Sequence, residues 1–169
     1  MTTATKIFWL IILLTSFTIE TLGQDHGIYH IKLDFHHSRR ISNNHVSVDF
    51  QRYGDSISVH VISEPMKNYD EKWNKTKINS TFELKKNVFD QLVVAVKKIN
   101  CSDIVAGLDY SGFDGTICEI SYGGISAEIS YKVWTPEYET KERNLGYYME
   151  VCKLILLTVK LEPKEIFSE

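Results

Sequence analysis

The sequence predicts an α+β fold, an antiparallel sheet of five to six strands with two helices packed on one face. Apolar and polar residues alternate with a period of two in six segments, as they do in strands with one wet face. Two other segments repeat apolar residues at helical spacing. Gly–Asp and Gly–Gly pairs between adjacent alternating runs supply hairpin turns.

Ahead of the first strand the chain reads MTTATKIFWLIILLTSFTIETLG, with one cation at Lys6, an apolar run over residues 7–14, and Thr21 and Gly23 before Gln24. A charged start, a short apolar middle and a small-residue end are the order of a secretory signal peptide, and the run is short for a membrane span. Residues 1–23 are therefore expected to be removed after Gly23, leaving residues 24–169 as one secreted or periplasmic domain. An uncleaved amino-terminal anchor is the alternative. No second apolar segment is long enough to cross a bilayer. The net charge of −3 is spread along the chain, without the basic stripe that a nucleic-acid partner requires.

GIYHIKLDFHH then places Tyr29, Ile31, Leu33 and Phe35 on one strand face and His30, Lys32, Asp34 and His36 on the other. After a polar connection, HVSVDFQRYGDSISVHVIS reads as a hairpin on Gly54–Asp55. Pairing Tyr53 with Ser56 sets Phe50 against Val59 and Val48 against Val61 on the apolar face, and Asp49 against His60 on the polar one. Turn formers over residues 64–75 indicate a loop, and KINSTFEL alternates again through Ile78, Phe82 and Leu84. Phe89, Leu92, Val93, Val96 and Ile99 define a helix over residues 86–99. CSDIVAGLDYSGFDG reads as a loop, and TICEISYGGISAEIS as a hairpin on Gly123–Gly124. Residues 140–160 read as a last helix with Leu145, Tyr148, Met149, Cys152, Leu156 and Val159 in its stripe.

The second hairpin raises a question of charge. If Tyr122 pairs with Ile125, Ile120 meets Ala127 and Cys118 meets Ile129, while Glu119 meets Glu128 on the polar face. Directly opposed like charges cost a few tenths to about 1 kcal/mol. Relief comes from a neighbouring cation such as Lys32 or Lys132, from a cation or ligand bound between the carboxylates, or from one raised pKa in a catalytic pair. The neighbouring cation is the plain reading for a solvated strand face. Asp49 and His60 read either as a surface cross-strand pair or as an oriented general base with Ser58 or Ser47 nearby. Trp134 is either a lid over the sheet edge or part of a recognition patch with Tyr131 or Phe113. Glu119, Glu128, Asp49, His60 and Trp134 form the candidate binding face; no catalytic residue is assigned.

Three cysteines are an odd number for an oxidising compartment, so one disulfide with a buried free thiol, or three buried thiols, accounts for them. Cys118 and Cys152 both point inward and are the candidate disulfide. The six histidines lie within the first third of the mature chain, but no single face clearly collects three, and there is no C-x-x-C. No metal site and no cofactor are expected. Hydrolase elbows, zinc-protease, phosphate-loop and dinucleotide motifs are all missing from the sequence.

From residue 107 to 161, FDGTICEISYGG, YKVWTPEYET and YYMEVCKLILLTVKL resemble a group of uncharacterised bacterial proteins. In that group an LDGT segment leads into a strand hairpin, a WSPE element and a terminal apolar helix; Thr135 stands here for the usual serine. The resemblance implies a bacterial envelope or secreted protein and brings no known activity. Asp114–Gly115 is expected to turn the chain into the strand, and Thr135 and Pro136 to cap and start a helical turn. The expected function is a non-enzymatic extracytoplasmic module recognising a protein or envelope ligand through the polar face and the Trp134 end. The alternative is an envelope hydrolase using the sheet-face carboxylates or the Asp49–His60 pair.

Overall fold

The computed structural model describes residues 27–39, 42–66, 77–106 and 114–167. The expected leader with its expected cleavage point, residues 67–76 of the expected loop, and Phe113 lie outside the described residues. In chain order the elements are β1 (His30–His37), β2 (His45–Tyr53), β3 (Ser56–Glu64), β4 (Ile78–Leu84), α1 (Lys86–Val96), α2 (Cys101–Ala106), β5 (Thr116–Gly123), β6 (Glu128–Trp134), α3 (Gly146–Thr158) and α4 (Pro163–Ile166). All six strands pair antiparallel in one sheet, ordered β4-β3-β2-β1-β5-β6. The fold is α+β, with β1 at an interior position between β2 and β5.

β1 explains why one face of the sheet is dry. Ile31, Leu33 and Phe35 have no exposed surface, and burying each contributes about 1.5–3 kcal/mol. Their cross-strand partners continue the layer: Phe50 and Val59 beside Ile31, Val48 and Val61 beside Leu33, and Ile120 and Cys118 on β5. The Gly54–Asp55 turn, with Gly54 at φ 64, holds the β2–β3 register expected from the sequence. Phe89, Leu92, Val93 and Val96 of α1 join the same apolar cluster, as do Tyr148, Met149, Cys152 and Leu156 of α3. Tyr148 fixes α3 to β5 by donating its hydroxyl to the Cys118 carbonyl at 2.7 Å. No helix among the described residues is long and apolar enough to cross a membrane.

Two local expectations are corrected here, and one helix is added. Part of the expected loop after α1 is helical, because α2 follows Asn100, whose side chain accepts from the Ser102 N–H. The last helix starts at Gly146 and not at residue 140. Arg143, only 3% exposed, turns inward and donates to the carbonyls of Trp134, Thr135 and Tyr138, while Glu139 and Asn144 adopt positive φ that no α-helix accommodates. After α3, Lys160 at φ 61 ends the helix, and Pro163 opens α4, which delivers Phe167 edge-on against Phe35 at 5.4 Å. The sequence pattern did not indicate α4.

The FDGT and WTPE segments lock together. Thr135 N donates to the Thr116 carbonyl at 2.6 Å, Thr116 N to Thr135 Oγ1 at 3.1 Å, and Thr116 Oγ1 to Glu137 Oε1 at 2.9 Å. Thr135 thus caps the start of β5, across the hairpin, and not a helix of its own. Gly115 lies so close that a Cβ there would stand 2.3 Å from Thr135 Oγ1 and 2.8 Å from Trp134 Nε1. Gly115→Ala is therefore expected to cost about 1–3 kcal/mol, the scale of overpacking. Gly146→Ala, with open space around the position and a helix to strengthen, should be neutral or stabilising by up to about 1 kcal/mol. Urea midpoints of the two variants measure this difference in sign.

Candidate functional site

The second face of the sheet carries the polar half of every alternating strand, and the cross-strand register arranges it in rows. Side chains of opposed residues lie on the same side of a sheet. One row runs Glu64, His45, His36, Ile117 and Trp134 across five strands. The next runs Ile62, Ser47, Asp34, Glu119 and Lys132. A third runs His60, Asp49, Lys32, Ser121 and Ser130, and in a fourth His30 stands with Gln51 and, beyond Gly123, Glu128.

Glu119 does not face Glu128; it faces Lys132, and Glu128 faces Gly123. The hairpin turns through residues 124–127, closed by Gly124 N donating to the Ala127 carbonyl at 2.9 Å. A two-residue turn requires positive φ, which neither Gly123 nor Gly124 adopts. Both glycines instead permit close backbone approach: a Cβ on Gly123 would meet the Ala127 carbonyl at 2.2 Å, and one on Gly124 the Gly27 carbonyl at 2.4 Å. The slip of four residues keeps the residues that remain in the strands on their expected faces, but it moves Ile125 and Ala127, expected opposite Tyr122 and Ile120, into the turn, where Ile125 is exposed. It leaves Ile129, opposite Tyr122, 46% exposed at the sheet margin.

Like charges do oppose one another on this face, at Asp34 and Glu119 on β1 and β5. Two lysines and an imidazole surround them. Lys32 Nζ lies 3.2 Å from Asp34 Oδ2, His45 Nε2 lies 3.4 Å from Asp34 Oδ1, and Lys132 stands opposite Glu119, which also accepts from Ser130 Oγ at 2.6 Å. Glu128 meets His30 Nε2 at 3.5 Å. Asp49 and His60 are opposed as expected, yet Asp49 accepts from Gln51 at 3.0 Å and His60 Nε2 contacts Asn79 Oδ1 at 3.0 Å. Ser47, one of the two serines nearby, is buried opposite Asp34 in the adjoining row.

The expectation that no single face collects three histidines is corrected, for the register sets His30, His36, His45 and His60 on this face. A cleft of about 470 Å³ opens at one end, lined by Asp34, His36, His45 and Glu64 among others. The His36 and His45 rings stand 6.4 Å apart, and Lys77 pairs with Glu64. Among the described residues no three His, Cys, Asp or Glu side chains stand together as a metal-binding group. Trp134 belongs to the same row as the cleft and packs beside Gly115. Tyr131 is on the opposite face, 6.2 Å from Tyr122, so it does not extend a Trp134 patch.

Cys118 and Cys152 are in contact in the core, Sγ to Sγ 3.6 Å, and both are free thiols. Cys101 is exposed on α2, contrary to the expectation of a buried third thiol.

No protein-family model matches the chain, and no curated protein matches it significantly. The charge arrangement makes its own prediction. With Ser130 donating to Glu119 and Lys132 on the facing strand position, and with Lys32 and His45 in contact with Asp34, Glu119→Gln should change unfolding stability by less than about 1 kcal/mol in a urea titration.

Proposed function

We propose that the chain is a non-enzymatic extracytoplasmic module that recognises a protein or envelope ligand through the polar sheet face, along the row that runs from the cleft to Trp134. The cross-strand row from Glu64 through His45, His36 and Ile117 to Trp134 carries this reading. It sets a flat aromatic and aliphatic contact beside a cleft with carboxylate and imidazole hydrogen-bonding groups. Ligand surfaces combining an apolar patch with polar groups are matched by such a row. The composition of residues 1–23, and the resemblance of residues 107–161 to a group of uncharacterised bacterial proteins, which implies an envelope or secreted protein, support the extracytoplasmic placement.

Asp34 and His45, in contact within the cleft, favour the second reading, a hydrolase in which the carboxylate orients an imidazole base. Titration with soluble peptidoglycan fragments and with the solubilised envelope protein fraction, followed by histidine and tryptophan side-chain NMR signals, tests both. Saturable shifts at His36, His45 and Trp134 are expected from one fraction, without chemical change in it. His45→Ala and Trp134→Ala should each weaken binding by tenfold or more, about 1.4 kcal/mol or above, while Tyr147→Ala, exposed on α3, leaves it unchanged. Turnover of either fraction that is lost in His45→Ala would establish the hydrolase. No saturable shift from either would sink the recognition surface.

A further inference from the structure

We propose that Cys118 and Cys152 form a covalent cross-link site, closed as a disulfide while the chain folds and not after folding is complete. The two sulfurs stand 3.6 Å apart, one on β5 and one on α3, and neither residue has exposed surface. A bond requires them to approach to about 2.05 Å, a closure of about 1.5 Å shared between two side chains. Tyr148 lies one helical turn before Cys152 and bonds the carbonyl of Cys118 itself. The docking of α3 on β5 therefore brings the sulfurs together by the same step that buries them.

The chemistry is thiol–disulfide exchange with a disulfide donor, either a small-molecule disulfide or an oxidoreductase. One cysteine thiolate attacks a donor sulfur, breaking the donor S–S bond and releasing one donor thiol. The second thiolate then attacks the mixed disulfide at the cysteine sulfur, forming the Cys118–Cys152 bond and expelling the other donor thiol. Two electrons pass from the cysteines to the donor, and the two cysteine protons end on its sulfurs. Thiolate is the reactive form and must be reached by the donor. In the folded chain neither condition holds: the sulfurs are enclosed, and burial, reinforced by the neighbouring Cys118, pushes the Cys152 thiol well above its ordinary range. Exchange consequently runs on the open chain, and docking of α3 traps the product. The exposed Cys101 stays a thiol.

The experiment refolds the reduced, denatured chain in a glutathione redox buffer, alkylates it natively, then denatures and labels it a second time before peptide mapping. A Cys118–Cys152 linked peptide with Cys101 alone alkylated is expected, and Cys101→Ser should give the same link. The cross-linked chain should unfold on the order of 10²–10³-fold less readily at equilibrium than the reduced chain, the effect of closing a loop of this length. Chain folded first in reductant and then moved to the same buffer should acquire the bond at least ~10-fold more slowly, since exchange requires access. Alkylation of all three cysteines after oxidative refolding, or a peptide linking Cys101 to either partner, would overturn the pairing. Equal oxidation rates for open and prefolded chain would overturn the order of events.

Discussion

Everything in this molecule depends on the placement of β1. It pairs with β2 on one side and β5 on the other, so its alternation fixes the faces of both hairpins at once. Ile31, Leu33 and Phe35 are sealed, and Lys32, Asp34 and His36 are committed to the opposite side by the period of the strand alone. A slip of one residue in β1 would invert that pattern against two neighbours together, which makes its register far more costly to change than that of an edge strand.

Charge on the polar face is organised by the same constraint. Because β1 brings Asp34 against Glu119, carboxylates face each other at the centre of the sheet, and Lys32, Lys132 and His45 are spaced around them. A solvated, alternating pattern of this kind contributes little to stability. It does hold charged and hydrogen-bonding groups at fixed spacings along the face. The adjoining row, ending at Trp134, adds the apolar contact that charges do not supply.

Behind the sheet, α3 is held by several unlike contacts. Tyr148 donates to the β5 backbone, Cys152 touches Cys118, and the residues before the helix are gathered by Arg143 around three carbonyls. Those carbonyls belong to the last residue of β6 and the segment that follows it, and Thr116 and Thr135 join that segment to the start of β5. The sequence motifs FDGT and WTPE are thus the two sides of one junction, and the same junction positions Trp134 at the end of the candidate surface.

The sequence by itself determined the face on which each strand residue lies, the stripes of α1 and α3, the β2–β3 register, and the nearness of Cys118 to Cys152. These follow from the period of two, the helical period, and a two-residue turn that only a residue such as Gly54 can make. Tertiary structure decided the strand order, the assembly of four histidines on one face, the β5–β6 register and the late start of α3. Alternation specifies only the parity of a register, and a shift of four residues in the second hairpin preserves it, so the opposition of Glu119 to Glu128 looked as consistent as the actual pairing with Lys132. Which edge of β1 receives β5, and where Arg143 turns inward, depend on contacts between segments far apart in the chain. No local period records them.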